Sequence, residues 1–434
     1  MSLIPNCEGK FDMFAERANT NRFARFAIKG DLLVGENLES ICNGQIVIDS
    51  GRIAAISPAS DSVKCKTEYD YSGYTILPGL IDTHCHLCLP GDGRDIDSYI
   101  EQSGTDIQLA VATQNAKCAL YGGITTVRDL GAPAEVAFRL RHASRCGLLP
   151  TPRLVLAGPV LTETGGHGYT FGLEVDSASD CQKAIRRLRR KGADVIKVMA
   201  SGGSTPGTSR WKPAFSKRLL RYMASEAHSR GVPITAHASC PRAIDYALNA
   251  GFDGIEHANF WIDDELNVDF RPELASTMAE QGVFVAPTLQ TSYRILHEPG
   301  YLTPVEKTRR KHIHDDAMSI FSQLLEYDIP FVTGSDAGFL VTRFDELWLG
   351  LYLMVQCGMS PRNALRSATV TAADALGLSG SVGVLATGHQ ADLLVVEGDP
   401  LSDVRVLNQV HAVFQSGIPI RTSQCAEEKA KRER

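Results

Sequence analysis

No stretch of this chain has the ~18–20 consecutive apolar residues needed to cross a bilayer as a helix. Its longest apolar runs are strand-length. Positive charge is not in excess either. Lys and Arg total 44 against 50 Asp and Glu, a formal net charge of −6, and the pI is near 6.1. Without a basic field, neither nucleic acid nor a membrane surface is an expected partner. The first 30 residues lack the apolar core of a secretory signal peptide, so the expected compartment is the cytoplasm. Low-complexity segments are missing as well. With 44% hydrophobic and 22% charged residues, a disordered, collagen-like or coiled-coil chain is excluded. Cysteine is present but unpatterned. Eleven residues, an odd number, are scattered along 434 positions, which fits reduced thiols better than a disulfide framework. Cys85 and Cys88 have CxxC spacing, yet nothing around them resembles a thioredoxin-like redox context.

The middle of the chain repeats one pattern: a short β-branched run, then a longer stretch of helical periodicity. Candidate strands are 75–86, 123–131, 153–158, 193–201, 233–238, 254–258, 283–289 and 329–336. Segments such as CQKAIRRLRRKG and PRAIDYALNAG lie between them and end in Gly, a common helix stop. Eight strands alternating with helices predict an α/β fold, a (β/α)8 TIM-like barrel over residues 75–382. The ends read differently. Residues 28–74 and 383–422 carry short alternating strands and turns, as in GQIVIDSGRIAAIS and ADLLVVEGDP. They are expected to pair into one small β-sandwich domain. Residues 1–27 form an N-terminal extension whose Phe11, Phe14, Phe23 and Phe26 are expected to cover a neighbouring subunit or the barrel of the same chain. Residues 423–434 form a charged helical tail.

Chemistry concentrates at the ends of these strands, the face where barrel enzymes place their sites. His84 and His86 close the first strand. Residues i and i+2 of a strand face the same way, so both imidazoles can reach one metal ion. Lys197 lies in VIKVMAS, His237 in ITAHA, His257 in GIEHA and Asp336 in VTGSDAG. A lone strand-end histidine is an ordinary packing residue. Six such residues on five strands predict a metal site. Imidazole suits Zn2+ and Co2+, and carboxylate widens the choice to Mn2+. Beside cations, the neutral form of Lys197 is favoured. A neutral amine can take up CO2 as a carbamate whose two oxygens bridge two metals; the alternative is a barrel-interior lysine paired with a carboxylate. A second HxH, His312 and His314, falls in a helix-like segment, where i and i+2 diverge. It reads as a solvated face.

This ligand order, HxH then Lys, His, His and Asp on strands one, four, five, six and eight, resembles that of the amidohydrolase superfamily. PGLIDTHCH and ADLLVV-GDPL are typical of it, and the likeness runs from about residue 28 to 422. The spacing from Lys197 to His237 (237 − 197 = 40) and on to His257 (257 − 237 = 20) resembles the imidazolonepropionase-like branch, which includes Xaa-Pro and related dipeptidases and ochratoxin-hydrolysing amidases. The resemblance implies two divalent ions, Zn2+ foremost with Mn2+ or Co2+ as alternatives. His84, His86 and Asp336 would hold one, and His237 and His257 the other. Carboxylated Lys197 and a hydroxide would bridge them. The hydroxide would attack an amide carbonyl, with Asp336 shuttling the proton.

The same resemblance points to His167 in TETGGHGYT as a substrate or oxyanion contact. Arg210, in the Gly/Ser/Thr-rich segment after strand four, is a candidate partner for a substrate carboxylate. Tyr169 and Tyr293 are further candidate substrate contacts. Arg128 and Asp129 read as supports. Relatives that bind a dipeptide carboxylate often have Tyr two residues after the strand-five His, and here Ser239 stands there. The expected function is metal-dependent hydrolysis of a small N-acyl amino acid, dipeptide or similar C–N bond by a homo-oligomer. Alternatives are a carbamate, urea, ester or lactam substrate, and a non-catalytic scaffold of the same fold.

Overall fold

The computed structural model describes residues 25–61 and 63–422. The charged tail and most of the N-terminal extension, Phe11, Phe14 and Phe23 included, lie outside the described residues. Phe26 is described, and it packs within the end sheet of its own chain, not over the barrel. It sits in the first strand, buried, with its ring centroid 6.2 Å from that of Phe414.

Four strands open the described chain: β1 (Phe26–Val34), β2 (Glu39–Asp49), β3 (Arg52–Pro58) and β4 (Thr67–Pro78). Nine short strands follow: β5 (Leu80–Cys85), β6 (Ile124–Asp129), β7 (Arg153–Leu156), β8 (Val160–Thr162), β9 (Gly172–Glu174), β10 (Ile196–Met199), β11 (Ile234–Ala238), β12 (Gly254–His257) and β13 (Phe284–Ala286). Then come β14 (Leu393–Glu397), β15 (Val410–Gln415) and β16 (Ile418–Arg421).

The two β-rich ends pair into one sheet, ordered β16-β15-β14-β4-β1-β2-β3, and the antiparallel β14–β4 ladder joins them. In a flat sheet β1 and β15, three spacings apart, would be separated by roughly 14 Å. Phe26 and Phe414 instead meet across 6.2 Å, and Tyr69 meets Phe414 at 5.3 Å. The sheet therefore curls so that its halves face each other over Ile28, Ile46, Ile48, Leu393 and Val395. The β1–β4 register jumps from Lys29–Asp70 to Asp31–Thr75, an irregularity that lets β4 bend. The expected sandwich is thus one sheet folded on itself. The expected strand 75–86 is really two: Thr75–Pro78 belongs to this end sheet, and only Leu80–Cys85 to the central one.

In the centre, β5, β6 and β7 form one parallel sheet, and β9, β8, β10, β11, β12 and β13 form another. Residues 330–337 occupy the place expected of an eighth strand. On one side the Val332 N–H donates to Val285 O at 3.0 Å. On the other, the Thr83 and His86 N–H groups donate to Thr333 O and Ala337 O at 3.0 and 2.9 Å. Helices alternate with these strands. Ala178–Lys191 shows why: Cys181, Ala184, Ile185 and Leu188 make one apolar stripe, Ser177 caps the start, and Gly192 stops the helix at a left-handed φ of 94°. Gly251 and Gly282 end two others in the same way. Strands covered on both faces become continuous apolar runs, so polar residues near their ends stand out. Among the described residues, no helix is long and apolar enough to cross a membrane.

Candidate metal and catalytic site

The C-terminal ends of the parallel strands open into one cavity of about 150 Å³, lined by His84, His86, Lys197, His237, His257 and Asp336. All six predicted ligands are therefore brought together. Asp336 Oδ1 lies 3.5 Å from His84 Nε2 and 3.4 Å from His86 Nε2. Ring centroids are 5.1 Å apart for His84 and His257, and 4.6 Å for His237 and His257. Donor atoms of His84, His257 and Asp336 lie within 4.8 Å of one another, a spacing that could hold a metal ion.

Each imidazole is oriented by its other nitrogen. His84 Nδ1 donates to Glu256 Oε2 at 2.8 Å and His86 Nδ1 to Gly131 O at 3.1 Å, leaving both Nε2 lone pairs toward Asp336. His257 Nδ1 pairs with Thr288 Oγ1 at 2.8 Å. His237 Nε2 faces Gly202 O at 3.2 Å, which leaves Nδ1 free of that contact. Such partners fix tautomer and ring direction in metal sites. Burial, together with nearby positive charge on Lys197, pushes the His84 imidazole down to about 4. Burial likewise holds His237 and His257 well below the usual imidazole value. Neutral imidazoles are the ligating form. Burial alone would lower His86 too, but its contact with the Asp336 carboxylate raises it.

Backbone geometry explains how neighbours on one strand share the site. Glu256 and His257 are consecutive, so alternation should point them to opposite faces. His257 and Ala258 take left-handed φ values of 74° and 51°, which end β12 and turn the imidazole back into the cavity. Asp336 is also left-handed, φ 56°. Strained backbone of this kind persists only where its surroundings hold it. Asp82 supplies part of the hold: Oδ1 accepts the backbone N–H of both His84 and Ser335 at 3.0 Å, tying β5 to the segment that carries Asp336.

Lys197 is 1% exposed, and its Nζ has no hydrogen-bond partner. Burial is the main cause that brings its amine down to about 8; Glu256 and Asp336 pull the other way. The expected alternative, direct pairing with a carboxylate, is not what the side chain does. Glu256 is instead committed elsewhere, to His84, to Arg128 Nη2 at 2.9 Å and to Thr235 Oγ1 at 2.6 Å. Burial opposes its charge, yet Arg128, Lys197 and His84 hold its carboxyl well below the usual range. The sequence reading missed Glu256. Its signal, a lone charge in the apolar run GIEHA, is the one that marked Lys197. Arg128 and Asp129 are supports as expected: Arg128 also donates to Thr83 O, and Asp129 accepts the Leu87 and Gly131 N–H groups.

His167 lines the cavity 4.9 Å from the His237 ring and pairs with Thr205 Oγ1 at 3.1 Å. Arg210 lines it too. Tyr169 and Tyr293 do not. The Tyr169 hydroxyl donates to Glu101 at 3.1 Å, and Tyr293 stacks on His297 at 4.0 Å. The second HxH sits on helix Pro304–Leu324 as predicted. His312 is exposed on it, but His314 is not a solvated residue: it bonds Ser292 Oγ at 2.9 Å and packs edge-on to Tyr293.

Residues 75–419 match the model of the Amidohydrolase family. Ochratoxinase of Aspergillus niger is 26% identical over 430 residues, covering 91% of this chain and 86% of that protein. Imidazolonepropionase of Erwinia tasmaniensis is 26% identical over 81% of this chain and 86% of its own length. The crystal structure of a Xaa-Pro dipeptidase with bound methionine in the active site superposes with a TM-score of 0.80 at 26% identity, covering 91% and 99% of the two chains. With its strand-end histidines and Asp336 gathered as a metal-binding group, the chain belongs to the amidohydrolase family, metal-dependent hydrolases of C–N bonds such as amides and peptides.

Proposed function

We propose that this protein hydrolyses the amide bond of a small N-acyl amino acid or dipeptide, using two divalent ions held in a closed (β/α)8 barrel. The observation that carries the reading is Lys197, buried without a partner beside four histidines and Asp336. A cationic lysine has no reason to stay there alone. Its neutral amine can add to CO2: the N–C bond forms, one C=O pair moves onto oxygen, and a proton leaves. The resulting carbamate supplies two anionic oxygens. His84, His86 and Asp336 would hold one ion and His237 and His257 the other, with the carbamate between them. Zn2+ suits this imidazole-rich set, and Mn2+ or Co2+ are compatible with it. Bound there, such ions lower the pKa of water and polarise a carbonyl.

The chain's own groups do the rest. Asp336, facing both His84 and His86, takes the proton from the attacking water and returns it to the leaving nitrogen. His167, held by Thr205, donates toward the oxygen on which charge develops.

Elemental analysis of purified protein, paired with hydrolysis of N-acyl amino acids and dipeptides, tests this. The expected result is about two metal ions per chain, amide cleavage, and loss of both in H84A/H86A. Full turnover by that variant, or no metal uptake after reconstitution with Zn2+, Mn2+ or Co2+ and bicarbonate, would overturn it.

A further inference from the structure

Beyond the ligand cluster, the same cavity carries two arginines, Arg210 and Arg310. Arg310 projects from helix Pro304–Leu324 on the same lining face as Ile313 and Ala317, at the i, i+3, i+7 spacing of one helix face. Its neighbours in the basic run turn elsewhere: Arg309 donates to Asp264 O at 3.0 Å, and Lys311 pairs with Asp315. Arg210 is pinned from below, its Nε donating to Gly203 O at 3.0 Å and its guanidinium over the Trp261 ring.

Neither arginine makes an ion pair among the described residues. Two carboxylates line the cavity, and each has partners already. Asp336 faces His84 and His86, and Asp97 accepts from Thr170 Oγ1 at 2.8 Å. Glu306, one helical turn before Arg310, is taken up in the capping box with Thr303. Burial and then the charge of Arg310 press the Arg210 guanidinium down to about 10. Burial first, and then the charge of Arg210, lowers the His167 imidazole to about 3. His167 lines the same cavity as both arginines. Two guanidiniums without ion-pair partners in one largely apolar cavity are costly unless an anion joins them there.

We infer that Arg210 and Arg310 form a subsite for two carboxylates, and that the preferred substrates are amides of an acidic amino acid, N-acyl aspartate or N-acyl glutamate. Such an amino acid is a compact group that places two carboxylates a few ångströms apart beside a scissile C–N bond. The carboxylate nearer the bond meets Arg210, and the side-chain carboxylate meets Arg310, which has its whole planar fork available.

This subsite rests on the proposed amide hydrolysis only for the bond that is cut, so binding is measured separately from turnover. Calorimetry on the metal-loaded protein compares L-glutamate with L-glutamine. Tighter binding of glutamate by about tenfold or more is expected, falling toward parity in R310M and largely kept in R310K. In turnover, the ratio of kcat/KM for N-acetyl-glutamate over N-acetyl-glutamine falls by the same factor in R310M, through KM. Equal binding of the two amino acids by the unmodified protein, or a preference untouched by R310M, overturns the subsite. A glutamate preference in binding without cleavage of any amide upholds the subsite and overturns the proposed function.

Discussion

Replacing Glu256 with glutamine keeps the shape of the side chain and changes what it can accept. The native carboxylate is 1% exposed and takes three hydrogen bonds, from His84 Nδ1, Arg128 Nη2 and Thr235 Oγ1. A carboxamide has one accepting oxygen. If that oxygen stays with Arg128 and Thr235, as both need an acceptor, the NH2 faces His84 Nδ1. The imidazole must then accept at Nδ1 and carry its proton on Nε2. That nitrogen is the one turned toward Asp336, so His84 loses the lone pair that would bind metal. Losing an orienting partner of a metal ligand costs about 10–100-fold in affinity. Arg128 also loses its anionic partner. Removing one member of a buried pair costs about 3–5 kcal/mol, and the retained oxygen places E256Q at the lower end. Two assays separate these effects: competition with a chromophoric chelator for affinity, and thermal unfolding of metal-free protein for stability. Metal affinity and melting temperature both equal to those of the native chain would refute the reasoning.

Two other predictions follow from close contacts and buried thiols. A Cβ added at Gly203 would collide with Cδ2 and Nε2 of His167, so G203A must displace that ring; kcat should fall about tenfold or more while the melting temperature moves little, and unchanged kcat would remove His167 from the reaction. Burial holds the Cys85 and Cys88 thiols well above their usual value. At pH 8 iodoacetamide should therefore modify exposed Cys42 and Cys146 in the native fold and spare this CxxC pair until the protein unfolds; early labelling of Cys85 or Cys88, read by peptide mass spectrometry, would contradict their burial.

The candidate ligand set was legible because a parallel strand covered on both faces is apolar throughout. Any His, Lys or Asp near its end is then conspicuous, as Lys197 and His237 were. The HxH at His84 and His86 was legible from strand periodicity, and the helix holding His312 and His314 from the same rule applied in reverse. The β-rich character of the two chain ends was legible too, but their pairing is a contact across more than 300 residues, which the β14–β4 ladder supplies.

What remained hidden depends on contacts between distant segments. Alternation assigns Glu256 and His257 to opposite faces, and only the left-handed turn at His257 lets both serve the site. Tyr169 and Tyr293 were plausible by position, but Glu101 and His297 engage them away from the cavity. Arg310 was one of three consecutive basic residues, and the docking of its helix alone decides which of them turns inward. The sequence by itself determined the kinds of candidate ligand and their order along the strands, because both follow from local periodicity and composition. The tertiary structure decided which charges are left without partners, because a partner is a matter of distance across the fold.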